Sequence, residues 1–92
     1  MEETNQLLRA LISIAGRNVF PAEELAKLVG AKRQIEAYNL CDGTVTQTEV
    51  QRRCKLDSGN FSRTVTRWIE LGVMFRIGIG KEAKLLHIYR LD

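Results

Sequence analysis

The sequence predicts a mainly α-helical domain that closes with a small β-hairpin, and three observations carry that expectation. Up to Leu71, apolar residues recur at helical spacing in successive segments punctuated by Gly16, Gly30, Asp42-Gly43 and Asp57. Beyond Gly72 the period shortens to β-branched and aromatic runs interrupted by Gly78, Gly80 and Lys81, a strand–turn–strand pattern. The chain has 92 residues, 45% of them hydrophobic and 27% charged, which fits one globular domain with a modest core.

Taken in order, "TNQLLRALISIAG" sets Leu7, Leu8, Leu11, Ile12, Ile14 and Ala15 along a wide helical stripe ended by Gly16. "FPAEELAKLVG" places Pro21 at a first-turn position, Glu23 and Glu24 at the positive end of the helix dipole, and Gly30 at the stop. It packs through Leu25, Leu28 and Val29. "AKRQIEAYNLCDG" is a third helix, with Ile35, Tyr38, Leu40 and Cys41 inward and Asp42-Gly43 closing it. Thr44-Val45-Thr46 is brief and β-prone. Thr46 then stands three residues before Glu49, the spacing of a capping box, so a short helix starts there, turning Val50 and Cys54 inward, with Leu56 in the turn. "DSGNFSRTVTRWIELG" follows as a helix with Asp57 or Ser58 as its cap. Val73 to Ile77 and Lys84 to Leu91 pair antiparallel as the hairpin.

Charge is uneven. Residues 1–30 hold three basic and four acidic side chains and the remainder eleven and seven, so net −1 is followed by net +4. That asymmetry is compatible with a polyanion bound by the C-terminal part, and also with ordinary fluctuation. No apolar run approaches the ~20 residues of a membrane span. The polar, acidic start predicts a cytoplasmic protein without a signal peptide. Cys41, Cys54 and His87 are too few for a zinc site, so no metal or cofactor is expected, and both cysteines read as buried thiols. Trp68, at a core phase, reads as a packing anchor, and His87 as structural. Carboxylates are scattered, no nucleophile–base set stands out, and Gly78-x-Gly80 opens no helix, so the chain is not expected to be an enzyme or to hold a small-molecule ligand.

The segment Asp57–Gly72 is the informative one. One face carries Phe61, Val65, Trp68 and Ile69, and the other Gly59, Ser62, Arg63, Thr66, Arg67 and Glu70, with Asn60 at the margin. Short hydrogen-bonding side chains with arginines let a helix backbone come close to base edges. Arg pairs with guanine, Asn with adenine, and Ser or Thr with either. The preceding helix ends in Arg52, Arg53 and Lys55, where a first helix crosses the phosphate backbone. The hairpin adds Arg76, Lys81 and Lys84.

"TQTEVQRRCKLDSGNFSRTVTRWIELGVMFR" resembles the core of winged helix-turn-helix transcription regulators of the MarR/ArsR type, especially archaeal members. The likeness lies in Phe61-Ser62-Arg63 opening the second helix, in the Leu71-Gly72-Val73-Met74 junction, and in the element order over residues 31–92. It implies a recognition helix of about 58–71 in the major groove of double-stranded DNA and a wing of about 73–91 on flanking backbone or minor groove. It further implies base reading by Ser58, Asn60, Ser62, Arg63 and Arg67 and wing contacts by Lys81 and Lys84; the residues themselves add phosphate contacts by Thr46, Arg52, Arg53, Lys55 and Thr66 and a wing contact by Arg76. Gln51 stands where the pattern has a small residue, and Lys55 where it has a turn glycine. Residues 1–30 form an N-terminal helical extension outside this core, whose stripe packs either on a second copy, giving a homodimer, or on its own domain. The other reading of the whole chain is a winged-helix protein–protein interaction module without sequence-specific DNA binding.

Overall fold

The computed structural model describes residues 6–8, 10–12, 15 and 19–91. It is mainly helical, with one small antiparallel sheet. The described residues ahead of Phe20 are helical; Ile12 is half-buried against the core, while Leu7, Leu8, Leu11 and Ala15 are exposed. Ile14 and the expected stop at Gly16 lie outside the described residues.

Helix α1 runs Ala22–Val29, with Pro21 as its N-cap and with Leu25 and Val29 buried. Helix α2, Lys32–Leu40, buries Ala37 and Tyr38, and the Gln34 side chain accepts the Ala31 N–H at 2.9 Å. It stops short of the expected Asp42-Gly43, because Asp42 already belongs to strand β1, Asp42–Thr46. The capping box forms as its spacing predicts. Thr46 Oγ1 accepts the Glu49 N–H at 3.2 Å, Glu49 Oε1 accepts the Thr46 N–H at 3.1 Å, and helix α3 follows as Gln47–Arg53. Helix α4 spans Ser58–Glu70, its N-terminus capped by Asp57, whose carboxylate accepts the Asn60 N–H at 2.9 Å. Strand β2, Met74–Ile77, a 3-10 turn at Gly80–Glu82 and strand β3, Lys84–His87, complete the chain.

Helices α3 and α4 terminate in the same way. The Leu56 N–H reaches the Gln51 carbonyl at 3.0 Å and the Lys55 N–H the Arg52 carbonyl at 3.3 Å. The Val73 N–H reaches Trp68 and the Gly72 N–H reaches Ile69, both at 3.0 Å. Each pair of bonds is a Schellman cap, which needs a left-handed residue after the helix. Gly72 supplies it at φ 80 for α4, and Lys55 supplies it at φ 52 for α3, alone among non-glycine residues described.

The strand order is β1-β3-β2, so the last strand is central. Met74 faces His87, Phe75 Leu86, Arg76 Leu85 and Ile77 Lys84; β1 aligns Asp42 with Leu86 and Thr46 with Lys84, with a register shift between. Both hairpin strands are shorter than expected. Val73 spends its N–H on the α4 cap, and beyond His87 the backbone turns to other partners: the Ile88 N–H to the Val73 carbonyl and the Leu91 N–H to Asn39 Oδ1 at 2.8 Å.

One core joins these elements. Trp68 is fully buried and meets Tyr38 edge-on at 5.6 Å and Phe61 at 6.0 Å, with Val65, Val73, Met74 and Leu85 around them. Leu25 and Val29 of α1 belong to the same core, so α1 is packed with the elements that follow it. The orphan carbonyl of Val29, at the end of α1, is satisfied by Trp68 Nε1 at 3.1 Å.

Candidate nucleic-acid interface

The turn between α3 and α4 covers residues 54–57 and is held from three sides. Besides its Schellman bonds, the Gln51 side chain donates to the Leu56 carbonyl at 2.9 Å. Arg33, from α2, donates to the Cys54 carbonyl at 2.8 Å and to that of Lys55 at 3.3 Å. Gln51 and Lys55 thus meet in one turn. A left-handed Lys55 is unfavourable by ~1–2 kcal/mol, and the Gln51 amide and Arg33 guanidinium hold the turn that requires it. Arg33 sits 21 residues before Cys54, and nothing in the local pattern marks it as a clamp.

On α4, Ser58, Gly59, Asn60, Ser62, Arg63 and Thr66 are exposed, while Phe61, Val65 and Trp68 face the core, as the helical period predicts. Arg63 folds back along the helix, and its guanidinium donates to Asn60 Oδ1. Two of the expected base readers thus form one unit at the start of α4. Thr66 returns its hydroxyl to the Ser62 carbonyl at 3.0 Å, as Thr64 does to that of Asn60.

Arg67 makes a tie that the sequence does not reveal. It is solvent-exposed, yet its guanidinium donates to the Val29 carbonyl at 3.3 Å, the acceptor that Trp68 also uses. A cation at the C-terminal end of α1 is favoured by the helix dipole. Arg67 therefore braces α4 on α1, whereas Arg63 bonds to Asn60.

The cations around this helix divide likewise. Arg52, Arg53 and Lys55 are exposed at the end of α3, and Arg76 and Lys81 are exposed on the hairpin. Arg76 donates to Gln47 Oε1 at 3.2 Å, tying β2 to the start of α3. Between them lies an open cleft of about 320 Å³ lined by Gln47, Thr48, Arg76 and Lys81 among others. Gln47 and Thr48 were not singled out by sequence, because their role depends on a hairpin brought alongside from 29 residues away. Lys84 is half-buried in the central strand, and its charge, with that of Arg53, helps hold the Glu49 carboxyl below its ordinary range; the Thr46 backbone hydrogen bond contributes most. Lys84 thus faces α3 and does not extend from the tip. Thr46 is half-buried and engaged as a cap.

The cysteines and the histidine sit within or beside the core. Cys41 is buried, and burial pushes its thiol up to about 12; Cys54 is half-buried and raised for the same cause, so its expected full burial is not met. Both are free, and raised thiols are poor nucleophiles. His87 is buried, with Nδ1 3.0 Å from the Tyr38 carbonyl. Among the described residues, no group of three or more His, Cys, Asp or Glu side chains comes together to hold a metal ion. Among those same residues, no helix is long and apolar enough to cross a membrane. No protein-family model, curated protein or solved structure matches the chain.

Proposed function

We propose that this chain is a winged helix-turn-helix protein that binds double-stranded DNA sequence-specifically, as a cytoplasmic transcription regulator of archaeal type. The observation that carries the reading is α4 itself. It is packed through Phe61, Val65 and Trp68 and exposes Ser58, Gly59, Asn60, Ser62, Arg63, Thr66, Arg67 and Glu70, directly after a short clamped turn. That face suits close approach to base edges. Exposed Arg52, Arg53 and Lys55 at the end of α3, and Arg76 and Lys81 on the hairpin, suit the phosphates that flank a groove. In this reading Arg63 and Asn60 read bases, Arg67 braces the helix, and β2 with β3 is the wing.

A homodimer fits the same reading. Leu7 and Leu11 are 62% and 57% exposed, apolar surface that a second copy would cover while setting two α4 helices on half-sites about one DNA turn apart, ~34 Å. The test is titration of duplex DNA at several salt concentrations. With ~4–6 phosphate contacts, log affinity falls against log salt with a slope of ~4–5. Weak binding that is flat with salt would instead identify a protein-interaction module.

A further inference from the structure

We propose that Ile79, at the hairpin tip, is an apolar wedge that enters the minor groove beside the α4 contact and partly unstacks a base step; this rests on the DNA-binding reading above. Ile79 is 93% exposed, more than any other large apolar side chain described. Its neighbours are Gly78 and Gly80, both left-handed at φ 98 and 69, so neither adjoining residue adds a side chain to the tip. The limbs of the tip lie close: a Cβ added at Gly78 would meet Ala83 Cα at 3.4 Å, and Ala83, buried, donates its N–H to the Gly80 carbonyl at 3.2 Å. A narrow, braced loop of this kind suits a groove only ~6 Å wide.

Charge selects the occupant. Arg76 and Lys81, exposed three residues before and two residues after Ile79, both line the cleft beside the start of α3, and with Glu82 the acid on the same turn they leave the tip net positive. An apolar point with cations close by in the same hairpin matches stacked bases beside phosphates, the surface that intercalating side chains use to kink a duplex. A purely apolar protein pocket would gain nothing from the nearby cations. The wedge is easiest to drive into flexible pyrimidine–purine steps such as TA, so the wing would add a preference for such a step at a fixed distance from the bases that α4 reads.

The experiment uses A·T-rich duplexes of about 30 base pairs, each with 2-aminopurine at a different TA step and dyes at both ends, titrated with wild type, Ile79→Ala and Lys81→Ala. Wild type is expected to raise 2-aminopurine fluorescence at one step and to bring the ends closer. Ile79→Ala should bind about tenfold more weakly with an unchanged salt slope, and without either signal. Lys81→Ala should lower the salt slope by ~1 and keep both signals. Unstacking and bending that persist in Ile79→Ala would overturn the wedge while leaving DNA binding intact. Equal DNA binding by wild type and Ile79→Ala, with self-association lost in the variant, would assign Ile79 to a protein contact. Wild-type binding that is flat with salt would remove the DNA reading itself, and the wedge with it.

Discussion

Arg63 is stored against the first turn of its own helix, donating to Asn60, and can turn outward from there without disturbing the core. Its guanidinium has donors to spare for a guanine edge even while one is shared with Asn60. Arg63→Ala is therefore expected to cost ~1–3 kcal/mol on a preferred site and to relax the preference, as measured by parallel titration of preferred and random duplexes. Equal losses on both would mean that Arg63 only holds phosphate. Arg67 is the contrast one turn later. Spacing put both arginines on one face, and their backbone positions do share it. The difference lies in reach, since a long side chain can travel to an orphan carbonyl on α1 that spacing within α4 does not reveal.

At the scale of elements, the α3–α4 turn is where the proposed binding can be tested apart from folding. Lys55 takes the left-handed place that glycine usually fills, and its exposed charge sits where a phosphate is expected. Lys55→Gly relieves ~1–2 kcal/mol of backbone strain and loses ~0.4–1 kcal/mol to a freer unfolded chain, so a net gain of ~0.5–1 kcal/mol is expected in urea unfolding. Duplex affinity should fall at the same time, with the salt slope lower by ~0.9. A less stable variant would show that the Lys55 side chain contributes packing that outweighs the strain. Much of this level was legible in advance: the Thr46–Glu49 box, the Gly72 stop and the helical phase of Phe61, Val65 and Trp68 all follow from local chemistry. What was not legible is non-local. The Arg33 clamp, the Arg76–Gln47 tie and the pairing of β1 with β3 join segments whose local patterns are silent about one another.

For the whole molecule, stability should depend on pH through His87. Burial holds its pKa below the ordinary imidazole value, with opposing contributions from the Tyr38 carbonyl and Asp42 and a further lowering by Arg90. In the native state Nδ1–H donates to that carbonyl while the ring stays neutral. Below about pH 6.5 the unfolded chain takes up a proton that the folded chain resists, so stability falls as pH drops through that window. Glu49, with its lowered pKa, loses its contribution only at more acidic pH, as the carboxyl itself protonates. A lower melting temperature at pH 5.5 than at pH 7.5 is the expected result, with most of the difference absent in His87→Phe. A flat wild-type profile over that range would mean that His87 titrates alike in both states.

The strand order also governs how this chain takes shape during synthesis. β1 pairs with β3 and not with the strand made next, and the Asn39 side chain, at the end of α2, holds both backbone groups of Leu91, 52 residues further on. On a ribosome, the helices would emerge and begin to dock while β1 waited for its partner. The sheet, and the buried face on which α4 rests, would lock only when the central strand arrived, so chains stalled inside the hairpin would carry α4 without its support.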